Sequence, residues 1–138
     1  MRVFFNSLLR LIGITFVLAG CNLTTADRLP TPIPTPDLPR AEILEPPNNV
    51  QIIEGTEFNI DIVARDESQG IARIVLLIDE VEVNSATPQE EGPVNVFRVT
   101  MNWRASGPGR HVIEAIAYRP DETPSDAAVL NVDVLAPE

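Results

Sequence analysis

Apolar and polar residues alternate with period two along three stretches of this chain: Phe58-Asn59-Ile60-Asp61-Ile62, Phe97-Arg98-Val99-Thr100-Met101-Asn102-Trp103-Arg104 and Leu130-Asn131-Val132-Asp133-Val134. Such alternation predicts strands with one face buried and the other in water. Residues 71–78 and 111–118 are apolar on both parities, which predicts strands covered on much of both faces. Val50 to Ile53 and Val81 to Val83 predict two shorter strands. Between these runs lie turn signals: Pro46-Pro47-Asn48-Asn49, Asp79-Glu80, Gly92-Pro93 and Gly107-Pro108-Gly109 among them. About seven strands at this spacing predict an all-β antiparallel sandwich or barrel. After the first twenty residues no stretch carries a helical stripe of apolar positions.

The strands occupy one domain, residues 41–136, long enough to bury a core of its own. The last predicted strand stops just before Ala136-Pro137-Glu138, so no further domain is expected after it. Ahead of the domain, residues 21–40 read as a spacer. Its centre, Pro30-Thr31-Pro32-Ile33-Pro34-Thr35-Pro36-Asp37-Leu38-Pro39, has proline at nearly every second position. Proline fixes φ and removes a backbone donor, which excludes helix and central strand and favours extended polyproline II. At ~3.1 Å per residue, the stretch after Cys21 would reach on the order of 60 Å if fully extended.

The first twenty residues have the form of a secretory signal. Arg2 and Arg10 make a positive start, and the uncharged run behind Arg10 is shorter than the ~20 apolar residues of a spanning helix. It ends in Leu18-Ala19-Gly20-Cys21, which contains the chain's single cysteine. These four residues resemble the lipobox of bacterial lipoproteins. The resemblance implies cleavage before Cys21, with Leu18, Ala19 and Gly20 as the cleavage motif, and a diacylglycerol on the Cys21 sulfur. Two or more acyl chains anchor stably where one does not. The alternative is an ordinary secretory signal followed by a chance cysteine. The expected location is a cell membrane or outer envelope, on the extracytoplasmic side, with the lipid as membrane partner.

The domain itself is similar to the bacterial Ig-like domains of envelope proteins and secreted enzymes. The residues that carry this are Phe58-x-Ile60-x-Ile62-x-Ala64-x-Asp66, Gly70-Ile71-x-x-Ile74-x-Leu76-x-Ile78-Asp79, Trp103, Gly109-x-His111-x-Ile113-x-Ala115-x-Ala117, and Ser125. The likeness implies a single antiparallel Ig-like β-sandwich. These motifs are core and turn patterns, which specify a fold better than an activity. At one point the chain departs from the family, which favours Asp-Gly in the hairpin where this chain has Asp79-Glu80. Glutamate disfavours positive φ, so a tight type I′ turn is not expected there.

Charge narrows the list of partners. The chain has ten arginines, no lysine and 20 acids, for a formal net charge of −10. Loss of Arg2 and Arg10 with the signal would make it more acidic still. Such a surface repels phosphate backbones, so no nucleic-acid partner is expected. A single cysteine excludes an internal disulfide. His111, the only histidine, is read as structural, on the core-facing parity and bonding a nearby backbone group, rather than as a base or metal ligand. Trp103 shares parity with Phe97, Val99 and Met101, which places it in the core rather than on a sugar-stacking surface. The acid pairs Asp66-Glu67, Asp79-Glu80, Glu90-Glu91 and Asp121-Glu122 are read as a solvated rim. Clustered loop carboxylates could also hold calcium, but no EF-hand-like loop is present. No cofactor, no metal and no catalytic residue are expected, and the chain is read as non-enzymatic.

One surface stands out. With Ile71, Ile74, Leu76 and Ile78 inward, Val75 and Leu77 point out; with Ile113, Ala115 and Ala117 inward, Ile116 and Tyr118 point out. In an Ig-type sandwich these two strands are neighbours, so the four outward residues form a candidate partner-binding face. The alternatives are β-propensity or cover by the spacer. The expected function is a cell-envelope lipoprotein that presents its domain for adhesion, scaffolding or protein recognition. The alternative is a carbohydrate-binding or accessory module of a surface enzyme or transporter complex, with a glycan partner.

Overall fold

A computed structural model of the chain describes residues 37–138, which fold into eight strands in two sheets. The strands are β1 (Arg40–Glu45), β2 (Val50–Ile53), β3 (Glu57–Arg65), β4 (Arg73–Ile78), β5 (Val81–Ala86), β6 (Val96–Arg104), β7 (Gly109–Tyr118) and β8 (Ala128–Leu135). One sheet has the order β1-β3-β6 and the other β2-β8-β7-β4-β5. This is the all-β Ig-like sandwich that the alternation and the family resemblance led us to expect. All pairs are antiparallel except β2 with β8, which is parallel. That exception arises because β1 belongs to one sheet and β2 to the other. The chain crosses between them at Pro46 and Pro47, which have no N–H to give to a ladder.

The inward residues of β3, β4, β6, β7 and β8 make the core. Ile60, Ile62, Ile74, Leu76 and Ile113 are fully buried, and each contributes about 1.5–3 kcal/mol relative to an exposed position. At the end of β6, Trp103 packs edge-on against Phe58, with centroids 6.5 Å apart and planes at 84°. Trp103 is thus a core residue, as its parity predicted.

Two connections differ from expectation. The β4–β5 hairpin has a two-residue turn, Asp79-Glu80, with Ile78 paired to Val81. Both turn residues have positive φ, 50° and 68°, so the tight turn that the sequence argued against is formed. Its cost is offset from outside the hairpin: one Asp79 oxygen accepts the Val112 N–H at 2.9 Å and the other meets His111 at 2.7 Å. The second difference is β1, a strand that the alternation did not predict at the junction of the spacer and the domain. It is an edge strand on β3, with Ala41 and Ile43 half-buried against the core.

Between β3 and β4, Gly70 takes φ +78°, which disfavours any other residue. A Cβ there would also lie 3.1 Å from Pro93, whose segment is bridged to this loop through Ile71 and Val94.

Candidate functional site

The proposed partner face lies on the five-stranded sheet. Register places Val75 opposite Ile116, Leu77 opposite Glu114 and Arg73 opposite Tyr118, so all four predicted residues share the outer surface of β4 and β7. Their exposure is uneven. Val75 is buried at 6%, while Leu77, Ile116 and Tyr118 are half-buried. The exposed large apolar residues of this sheet are others: Val129 beside Glu114, Val81 and Val83 on edge strand β5, Ile53 on β2 and Leu135 at the end of β8. The Arg73 guanidinium lies 3.9 Å above the Tyr118 ring and also pairs with Glu122. One face of Tyr118 is therefore covered by a cation. Arg73 Nη1 finds no hydrogen-bond partner, as expected for a guanidinium pressed against a ring.

Two ionic contacts occupy the two ends of β7. At its C-terminal end, Arg119 binds Asp66 through two parallel bonds, Nε to Oδ2 at 2.8 Å and Nη2 to Oδ1 at 2.9 Å. Nη2 also donates to Ser68 Oγ at 3.0 Å and lies 3.2 Å from Asp37. Asp66 in turn accepts the Ser68 and Gln69 N–H groups, closing its own loop. The Arg119 bonds hold the Asp66 carboxyl down at about 2, against the opposing effect of burial. Asp66 and Arg119 are 5% and 4% exposed. The solvated rim predicted for the acid pairs is thus corrected at Asp66: a buried guanidinium contributed by a residue 53 positions away draws it inside. Ser125, named by the family motif, ties the same end together, accepting the Ala117 N–H and donating to Asp126 O.

At the N-terminal end of β7, His111 lies between two acceptors. Nδ1 is 2.7 Å from Asp79 Oδ2 and Nε2 is 2.7 Å from the Gly107 carbonyl. The ring sits 5.4 Å from that of Trp103. The Gly107 carbonyl, followed by the Asp79 carboxylate, pushes the imidazole above its ordinary value, while burial opposes this. The Val112 N–H, followed by His111, holds Asp79 below the usual carboxylate range. The sequence anticipated the backbone bond of His111. It gave no sign of the Asp79 bond, which the register of β4 against β7 creates.

Among the described residues, no group of three or more His, Cys, Asp or Glu is placed to hold a metal ion, and no helix is long and apolar enough to cross a membrane. Cys21, its cleavage motif Leu18, Ala19 and Gly20, the signal and most of the spacer lie outside the described residues.

No family model matches the sequence, and no curated protein matches it. Solved structures do. The chain is similar to fibronectin(III)-like modules of Clostridium thermocellum CbhA, with a TM-score of 0.60 at 22% identity over 75% of this chain and 50% of that one. It spans only half the length of that structure. A CARDB domain from Pyrococcus furiosus matches with a TM-score of 0.52 at 13% identity, over 72% of this chain and 97% of that one. An endo-beta-1,4-mannanase from Thermotoga petrophila matches at 0.51 and 8%, over 72% and 20%. At these identities the likeness is one of fold, and it defines the domain as an Ig-like β-sandwich.

Proposed function

We propose that this chain is a non-catalytic lipoprotein of the cell envelope. It presents one Ig-like sandwich on a proline-rich stalk, for adhesion, scaffolding or protein recognition. The observation that carries this reading is Leu18-Ala19-Gly20-Cys21 behind a short apolar run, with Cys21 the only thiol in the chain. The domain supports the non-catalytic part. A general base must reach the proton of a bound substrate, and both ring nitrogens of His111 face acceptors of its own fold. The best-buried carboxylate, Asp66, is spent on Arg119. The test is metabolic labelling of cells with palmitate. Label should enter the wild-type protein and be lost from Cys21→Ser, which should also leave the membrane fraction. Label-free wild-type protein would end the lipoprotein reading.

A second reading is an accessory module of a carbohydrate-acting enzyme, favoured by the fold shared with part of the mannanase chain. Tyr118 is its best aromatic, although Arg73 covers one face of the ring. Binding of β-1,4-linked mannan that Tyr118→Ala abolishes would favour this reading over protein recognition.

A further inference from the structure

We propose that His111 is a proton-dependent clasp, joining the Asp79-Glu80 hairpin to the turn before β7 when its ring carries two protons and releasing the turn when it carries one. Both partners of the ring are acceptors, a carboxylate and a peptide carbonyl, each 2.7 Å away. A neutral imidazole has a single N–H and satisfies only one of them. Both contacts together require the imidazolium. The Trp103 ring, 5.4 Å away, adds a π surface that favours a cation.

The charged groups around the ring act in the same direction. From the β4–β5 hairpin come Asp79 and its neighbour Glu80. From the β2–β3 turn comes Glu54, whose Oε1 accepts the Gly107 N–H at 2.9 Å. Glu114 on β7 joins Asp79, Glu80 and Val112 around one surface hollow. The cations nearby are already engaged. Arg110 on β7 pairs with Asp133 on β8 at 3.0 Å, and Arg104 on β6 donates to the Gly55 carbonyl. The local balance is acidic, which stabilises a second proton on His111.

The two bonds are unequal. A carboxylate is the stronger acceptor, so a neutral ring keeps its proton on Nδ1 against Asp79. The Gly107 carbonyl then loses its donor. Gly107 and Gly109 both have positive φ, and a Cβ at Gly107 would lie 3.8 Å from the His111 ring. Deprotonation therefore loosens residues 106–108, between Ala105, which is held by backbone bonds to Gly55 and Thr56, and β7, while the Asp79-Glu80 hairpin keeps its bond to Val112.

Trp103 is the only tryptophan, so its emission reports this corner alone. The experiment titrates the full-length chain in detergent micelles from acid to alkaline pH. It follows Trp103 emission together with amide exchange of Ser106 and Gly107, corrected for intrinsic pH dependence. The expected result is a single emission transition with its midpoint above that of a free histidine, and severalfold faster exchange on its alkaline side. His111→Gln should abolish the transition, and Asp79→Asn should move its midpoint down. A wild-type midpoint at or below that of a free histidine would overturn the clasp, as would unchanged exchange across the transition or its survival in His111→Gln. Should His111→Gln fail to fold, the wild-type midpoint and its displacement in Asp79→Asn decide alone.

Discussion

At the end of the sandwich where the chain enters the domain, Asp66 grips Arg119 through two bonds, and both side chains are almost fully buried. At the other end of β7, Asp79 meets His111 through one bond, with half of the Asp79 side chain in water. Both are a carboxylate against a cation, yet they serve the fold differently. The buried pair cannot exchange either partner for water, so breaking it strands a charge. The open pair can lose its proton and let water replace one bond. Its strength therefore depends on pH near neutrality, while the buried pair responds only on the acid side.

The largest expected effect comes from stranding the buried cation. Asp66→Ala should cost about 3–5 kcal/mol in urea unfolding, the range for breaking one side of a buried pair. Replacing both partners together, Asp66→Leu with Arg119→Met, should recover most of that loss. A cost below about 1 kcal/mol for Asp66→Ala would mean that the two ends are not different in kind.

Acid gives the next effect. The Asp66 carboxyl titrates at about 2 in the fold against 3.8 when unfolded. Its contribution is therefore complete above the unfolded value and is lost as pH falls through the folded one. About 1–2 kcal/mol should disappear between pH ~5 and pH ~2, after allowance for solvent screening. Urea midpoints measured across that window give the slope, and Asp66→Asn should flatten it.

The open end responds in the opposite direction. The folded-state value of His111 is raised, so its stabilisation is present below the unfolded value of 6.5 and is lost as pH rises through the folded one. His111→Gln should cost about 1 kcal/mol more at pH ~6 than at pH ~9, the usual worth of the one hydrogen bond that deprotonation removes. Equal costs at both pH values would remove the contrast between the ends.

The smallest effect is expected on the sheet face between them. Leu77 is half-buried and outside the core cluster, so Leu77→Arg should change stability by less than about 1 kcal/mol. The same substitution should weaken capture of a protein partner at that face. A loss as large as that of a core isoleucine would show Leu77 to be structural.

The sheets were legible because their signal is local. Phe58 to Ile62 and Leu130 to Val134 announce a buried face through alternation alone, and the inward residues are those found in the core. β1 was not, because only Ala41 and Ile43 point inward from a six-residue edge strand directly behind prolines. The parallel pairing of β2 with β8 was hidden as well, since alternation states which face is buried but not which strand lies alongside. The ionic ends depend on even longer reach. Asp66 and Arg119 are 53 positions apart, and Asp79 and His111 are 32 apart. Asp66 beside Glu67 looks like any surface acid until its partner is known. Asp79-Glu80 looked wrong for a tight turn because its support comes from β7. On the candidate face, alternation identified which residues share a surface, while their degree of exposure depends on neighbours such as Arg73 over Tyr118.

A lipid-anchored sandwich is tested most directly by the intact mass of the protein extracted from cell envelopes, with fragmentation of its N-terminus. The predicted species begins at Cys21 and carries the mass of a diacylglyceryl thioether there. A chain that keeps residues 1–20, or one that starts elsewhere with a free Cys21 thiol, would contradict it.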